Sequence, residues 1–383
     1  MSNLIKDYGY RFQRQSILNG FGPEAQAKLQ STSVLVIGAG GLGCPALQYL
    51  AASGVGTLGI VDNDLVSVTN LHRQILFSEE QVGMRKTDAA RDRIRAINSL
   101  VDVKCFSFKL DSSNTLDVIN EFDVVLDATD NFPTKYLIND ACVLADKPLV
   151  YGAVLGFEGQ VSVFNLKISS GYSSNYRDAF PTPPAPNTVK DCAEAGVLNV
   201  VAGIIGCLQA HEVMKIVTGF ASPVADKLLI FDGISMTQTT IGLVNHNARD
   251  NIRSLIDYQD FCGINQFKNK YLEAKEQVMK EVTVQELQKM KASGADFQLI
   301  DVREPYEYDI CNLEGELIPM SDIPNNVEKI SKDKKVVMHC RSGKRSGDML
   351  LWLEKNHGFE NLYNLKGGIL AWAKEIDPEM PTY

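Results

Sequence analysis

The sequence predicts an α/β protein: a Rossmann-like, doubly wound and largely parallel sheet, followed by a second, small α/β domain. Three observations predict it. Short apolar runs alternate with helical stretches through the first half, the pattern of βαβ units. A glycine-rich segment, Gly38-Ala39-Gly40-Gly41-Leu42-Gly43, lies between the first such strand and the first such helix. A fresh strand-and-helix pattern starts near Glu281, behind a polar stretch.

Taken in order, residues 33–38 (SVLVIG) read as a buried strand, 45–54 as a helix closed by glycine, and 56–62 as a second strand. Residues 86–98 read as a helix, 102–108 and 122–129 as strands, and 160–166 as a strand of period two. Residues 167–191 are rich in Ser, Pro and Asn and predict a long mobile loop. A glycine-containing helix over 197–217 and the strand LLIFDG come next. The polar segment 247–280, ending in KYLEAKEQVMK, is expected to be a linker between a domain of residues 1–246 and one of residues 281–383. In the latter, VTVQELQKMKASG and SGDMLLWLEKNHG read as helices, FQLIDVR and KKVVMHC as strands.

The 383 residues suffice for two cores, and the formal net charge of -9 with no basic block argues against a nucleic-acid partner. The apolar stretch around 200–208 is interrupted by Gly203 and Gly206, so no membrane span is expected. The polar N-terminus lacks a signal-peptide core, which predicts a cytoplasmic protein. The 8 cysteines include no C-x-x-C pair, so free thiols are expected and structural zinc is not.

The glycine loop lets backbone amides approach phosphate at a helix N-terminus. Asp62 ends the next strand, where a carboxylate accepts ribose hydroxyls. Alone these residues fit a dinucleotide-binding oxidoreductase as well. The residues beyond Asp62 favour ATP: Thr69-Asn70-Leu71-His72-Arg73-Gln74 and Arg85-Lys86 bring cations behind the ribose strand, as displacement at a phosphate requires. Asp130, in Asp127-Ala128-Thr129-Asp130-Asn131, supplies a carboxylate for Mg²⁺ at a strand's C-terminal end. Taken singly, Asp62 could cap a helix, while Arg14, Arg73 and Lys86 could be surface charges.

Together RFQRQ, GAGGLG, VDNDLVSVTNLHRQ, VGMRK, DATDNF, GFEGQVSVF and CAEAGV make residues 8–245 resemble the MoeB/ThiF (HesA/MoeB/ThiF) family, bacterial relatives of ubiquitin-activating enzymes. The resemblance implies that Gly41, Asp62, Asn70, Arg73, Lys86 and Asp130 bind ATP and Mg²⁺. Gly38, Gly40, Gly43, Thr69 and Asn131 belong to the same series. It also implies that Arg14 reaches the triphosphate of a neighbouring subunit, hence a homodimer. Many members carry two C-x-x-C pairs for zinc; here Asn175-Tyr176-Arg177-Asp178 replaces the first, and only Cys262 remains near the second.

Two cysteines stand out. Cys192, in KDCAEAGV, precedes a helix whose N-terminus favours thiolate, so it is a candidate for sulfur transfer. The other reading is a small buried hydrophobe. Cys340-Arg341-Ser342-Gly343-Lys344-Arg345-Ser346 lies between strand and helix, where amides can surround one sulfur and where Lys344 and Arg345 add positive charge. A phosphatase loop has its arginine one place later, so this loop suits sulfur. DVREPYEY and KGGILAW add a resemblance to single-domain rhodaneses, which implies a persulfide on Cys340 and a bracing role for Asp301 and Arg303.

The resemblance thus implies an adenylyltransferase with sulfurtransferase activity. Its partner would be a MoaD-like or ThiS-like ubiquitin-like sulfur carrier, serving molybdopterin or thiamin synthesis, with a donor such as a cysteine desulfurase. An NAD-dependent oxidoreductase and a non-catalytic scaffold for a ubiquitin-like protein are the alternatives.

Overall fold

The computed structural model describes residues 8–185, 196–265 and 279–382. The chain divides into two compact units, Met1–Asn265 and Gln266–Tyr383.

The first unit is built on an eight-stranded sheet. Its parallel part comprises β1 (Ser33–Ile37), β2 (Thr57–Val61), β3 (Asp102–Phe106), β4 (Val124–Asp127) and β5 (Leu149–Leu155), with spatial order β3-β2-β1-β4-β5. β1, β2 and β4 are short and almost wholly apolar because helices cover both faces, leaving no polar side, whereas edge strand β3 exposes Asp102 and Lys104. The order reverses between β1 and β4, which opens a crevice at their C-terminal ends. Beyond β5 the sheet turns antiparallel through β6 (Glu158–Phe164), then β9 (Lys227–Asp232) and β10 (Thr237–Gly242). A small hairpin, β7 (Lys167–Ile168) and β8 (Gly171–Tyr172), stands apart.

Besides the short helical turns Tyr8–Arg11 and Gln13–Ser16, the described helices of this unit include α1 (Gly22–Ser31), α2 (Gly43–Ser53), α3 (Lys86–Ile97), α4 (Thr115–Asn120), α5 (Phe132–Leu144), α6 (Tyr176–Ala179), α7 (Asn199–Thr218) and α8 (Tyr258–Phe261). Against expectation, α7 runs unbroken through Gly203 and Gly206 and is long and apolar enough to cross a membrane. In this fold it is a core helix: a Cβ on Gly206 would lie 2.3 Å from the Leu42 carbonyl, so glycine there permits close packing on the start of α2. Val201, Ile205 and Val213 join the core beside β1 and β4.

Two further expectations change. The first half of the supposed mobile loop is packed: Tyr176 is buried among Tyr136, Tyr151 and Phe180, and Asn175 and Asp178 form a capping box on α6. The supposed linker does not start at residue 247, because Tyr258 and Cys262 are buried in the core beside α5. A segment polar on average anchors itself through a few apolar side chains, which composition does not show.

The second unit is a parallel five-stranded sheet of order β11-β15-β14-β12-β13: β11 (Glu281–Val282), β12 (Phe297–Asp301), β13 (Glu316–Leu317), β14 (Lys335–His339) and β15 (Leu362–Leu365). Helices α9 (Val284–Ala292), α10 (Pro305–Ile310), α11 (Lys344–His357) and α12 (Gly368–Glu375) complete it. Met279, two residues before the expected start, already packs half-buried against its core.

Candidate functional sites

At the crevice of the first unit lies a cavity of about 720 Å³. Gly38, Gly40 and Gly41 enter it from the turn between β1 and α2, Asp62 from the end of β2, and Asp130 and Asn131 from the end of β4. Asn70, Arg73 and Lys86, from the segment between β2 and α3, line it too. Two of the loop's glycines, Gly38 and Gly43, are structurally required. Gly38 has φ +97°, and a Cβ there would meet the Ala128 carbonyl at 2.8 Å; on Gly43 a Cβ would lie 1.9 Å from the Gly38 carbonyl. Gly43 therefore shapes the loop from outside the cavity.

Asp62 is fixed by two backbone donors, the Ala39 amide at 2.8 Å and the Asp64 amide at 2.9 Å. Burial raises its pKa above the ordinary carboxylate value, against the pull of Lys86 and those two amides. Lys86 is buried and pairs with exposed Asp64 at 2.8 Å. The Arg73 guanidinium is steadied by the Thr69 carbonyl at 3.0 Å and by His72 Nε2 at 2.8 Å.

Thr69 itself does not line the cavity; its hydroxyl pairs with Ser67 and its carbonyl reaches the site through Arg73. Arg14 is exposed on the helical turn Gln13–Ser16, outside the lining. Asn131 caps α5 by accepting from the Thr134 amide at 3.0 Å. Sequence reasoning missed Gln74, buried with a partnerless Oε1 in the cavity wall, and Lys135, whose ammonium meets Asp127. Nothing in a single sequence separates Lys135 from the surface lysines.

These residues fit a nucleotide triphosphate with Mg²⁺. Amides and cations surround a space kept clear of side chains by glycine, and Gln74 Oε1 awaits a donor. Among the described residues no three His, Cys, Asp or Glu side chains gather into a metal set. The carboxylate of Asp130 would hold the ion together with phosphate oxygens and water.

The segment 175–178, set by the resemblance against the first C-x-x-C pair, offers no thiolate for zinc. There Asn175 and Asp178 bond one another, and Arg177 forms a two-pronged pair with buried Asp140 (2.8 and 2.7 Å). Tyr258 donates to the same carboxylate at 2.7 Å, and the guanidinium lies 4.5 Å from the Phe261 ring. An ion pair thus ties α5, α6 and α8 together.

In the second unit the Cys340 sulfur is buried at the start of the loop between β14 and α11. The Gly343 amide donates to it at 3.2 Å and the Ser346 hydroxyl lies at 3.4 Å, itself 2.7 Å from Asn364 Oδ1. From behind, the amides of Ile369 and Leu370 donate to the carbonyls of Cys340 and Arg341 at 2.9 and 3.1 Å. A Cβ on Gly368 would come within 2.5 Å of the Cys340 carbonyl, which explains the glycines of KGGILAW. Arg341, Ser342 and Lys344 are exposed at the loop.

Asp301 and fully buried Arg303 form a pair with contacts of 2.6 to 3.0 Å. Arg303 also donates to the Glu307 and Cys311 carbonyls. The Glu307 carboxylate holds Arg345 by two bonds of 2.6 and 2.7 Å. Arg345 is therefore a strut from α10 to the loop, a role the sequence did not reveal. Cys192 lies outside the described residues.

A model described as the ThiF family matches residues 12–252. The chain belongs to the ThiF family. A rhodanese-like domain matches residues 283–375 of this ThiF family member. The probable adenylyltransferase/sulfurtransferase MoeZ of Mycobacterium tuberculosis is 41% identical over 387 residues, covering 100% of this chain and 97% of that protein. The adenylyltransferase and sulfurtransferase MOCS3 of Culex quinquefasciatus is 40% identical over 394 residues, covering 97% and 89%. Among solved structures, the microcin C7 biosynthetic enzyme MccB with N-formylated MccA matches with TM-score 0.55 at 22% identity, over 63% of this chain and 74% of that one. At that identity the likeness shows the fold alone.

Proposed function

We propose that this protein uses ATP to adenylate the C-terminal glycine of a ubiquitin-like sulfur carrier and then passes sulfur to it from Cys340. The observation that carries the first half is that Gly41, Arg73, Lys86 and Asp130 all border one cavity at the sheet's switch point. Phe108, Leu110, Phe132, Val154 and Phe180 line the same cavity, apolar side chains suited to contact a peptide tail. The names of the full-length relatives, adenylyltransferase and sulfurtransferase, support both halves.

In the first step a carboxylate oxygen of the tail attacks the α-phosphorus, and the bond to the bridging oxygen breaks to release pyrophosphate. Arg73 and Lys86 offset the charge that develops on the departing group, while the glycine-loop amides orient the phosphates. Bound Mg²⁺, held by Asp130, would neutralise phosphate oxygens. In the second step the outer sulfur of a Cys340 persulfide attacks the acyl carbonyl and displaces AMP. A second thiol then attacks the Cys340 sulfur, releasing the thiocarboxylate and leaving a disulfide for an external dithiol to reduce. Cys192 remains a candidate intermediate in the sulfur transfer.

The same reading includes a homodimer in which Arg14 of each copy serves the other's site. It also includes a cytoplasmic location, a donor such as a cysteine desulfurase, and a place in molybdopterin or thiamin synthesis. The deciding experiment is ATP–pyrophosphate exchange with a MoaD-like or ThiS-like carrier. The wild type should exchange only when carrier and Mg²⁺ are present, and Asp130→Ala should lose exchange. Undiminished exchange in Asp130→Ala would remove the assigned metal ligand; no exchange with either carrier would remove the reading itself.

A further inference from the structure

Lys135 is a buried charge that this mechanism leaves unused. It sits in the first turn of α5 with a side chain only 6% exposed, beside an Asp127 carboxylate that is 1% exposed. Its Nζ donates to Asp127 Oδ2 at 3.0 Å and to the Gly152 carbonyl at 2.8 Å, and it lies 4.8 Å from the centre of the Tyr151 ring. An ammonium has three donors, and carboxylate, carbonyl and aromatic ring occupy its surroundings. This geometry turns Lys135 toward the protein rather than toward a substrate.

The other oxygen of Asp127 does the further work. Asp127 Oδ1 accepts from the Thr129 amide at 2.9 Å and from the Thr129 hydroxyl at 2.6 Å, closing the turn that leads into Asp130. The Asp127 carbonyl is held by Gln209 Nε2 at 2.7 Å, and the Ala128 amide by the Ile37 carbonyl at 2.9 Å. The carbonyl of Ala128 abuts Gly38 so closely that no Cβ fits between them. The turn is thereby set against the glycine loop. Burying an ion pair contributes little net stability, because desolvation offsets attraction. A buried pair whose Lys135 lines the cavity and whose Asp127 begins the turn to Asp130 instead fixes geometry.

We propose that Lys135 is a positioning residue of the phosphate site: by anchoring Asp127 it holds the Thr129–Asp130 turn where the Asp130 carboxylate meets nucleotide-bound Mg²⁺. The proposal rests on the ATP and Mg²⁺ reading of the cavity. Binding of ATP and of Mg²⁺ are then coupled through Asp130, and Lys135 sets the size of the coupling.

The test uses the full chain and three probes: ATP with Mg²⁺, ATP with EDTA, and amide hydrogen exchange of the free protein. In wild type, Mg²⁺ should tighten ATP binding. Lys135→Met should lose about tenfold of that gain, while metal-free ATP affinity changes less than about twofold. Its Thr129 amide should also exchange faster, a readout that needs no ligand. Lys135→Arg, which keeps the charge and the donors, should restore both. Should Lys135→Met not fold, the neutral pair Asp127→Asn with Lys135→Gln avoids an unpaired buried charge and should still lose at least about threefold of the gain. An undiminished Mg²⁺ gain together with unchanged Thr129 exchange would overturn the positioning role. Wild-type protein that binds no ATP under either condition would overturn the reading beneath it.

Discussion

Acid should weaken the second unit through one histidine. His339 ends β14, directly before Cys340, and is fully buried. Neither ring nitrogen has a hydrogen-bond partner. Asp301 Oδ2 lies 3.6 Å from Nε2, too far for a hydrogen bond, and that carboxylate is already paired with Arg303. Burial therefore dominates and pushes the His339 pKa down from 6.5 to about 4. The folded state keeps the ring neutral, whereas the unfolded chain takes up a proton below pH 6.5. Stability is thus whole above that pH and falls as pH drops toward 4. A difference of about 2.5 pKa units corresponds to roughly 3 kcal/mol lost across this window. Both tryptophans, Trp352 and Trp372, belong to the second unit, so their fluorescence during urea unfolding tracks this unit. His339→Leu has no proton to take up and leaves no hydrogen bond broken. It should flatten the pH dependence between 6.5 and 4 by that amount, with carboxylate contributions cancelling in the comparison. Equal slopes in wild type and variant would refute the argument.

The remaining expectations concern single contacts. Cys340→Ala should abolish thiosulfate sulfurtransfer while leaving carrier-dependent pyrophosphate exchange intact; retained sulfurtransfer would place the persulfide elsewhere. Gly43→Ala, whose new methyl would collide with the Gly38 carbonyl, should weaken ATP binding by about tenfold or more, measured by calorimetry. Asp140→Asn should cost about 3 kcal/mol or more in thermal unfolding by unpairing Arg177. Elemental analysis should find no stoichiometric zinc, and EDTA should leave the unfolding temperature unchanged.

Both sites were legible in part. Gly38 to Gly43, Asp62, Asn70, Arg73, Lys86 and Asp130 could be read because each belongs to a short run with fixed spacing behind a strand. Parallel βα geometry delivers such runs to one edge of the sheet. The Cys340 loop was readable for the same reason. Lys135, Gln74, Glu307 and Asn364 were not. Their types are common on surfaces, and their meaning comes only from burial beside a group distant in sequence. The packing of residues 171–180 and 248–262 was hidden likewise, because composition averages over the few residues that anchor a segment.

By itself the sequence determined the α/β alternation, the glycine turns that admit phosphate, and the cysteine placed before a helix. All three rest on local backbone stereochemistry and periodicity, which neighbouring residues set. Only the tertiary structure decided which charges are paired and which border the cavity: Lys135 on Asp127, Arg345 on Glu307, Arg177 on Asp140. Electrostatic roles depend on distance and desolvation, and both are properties of the folded chain.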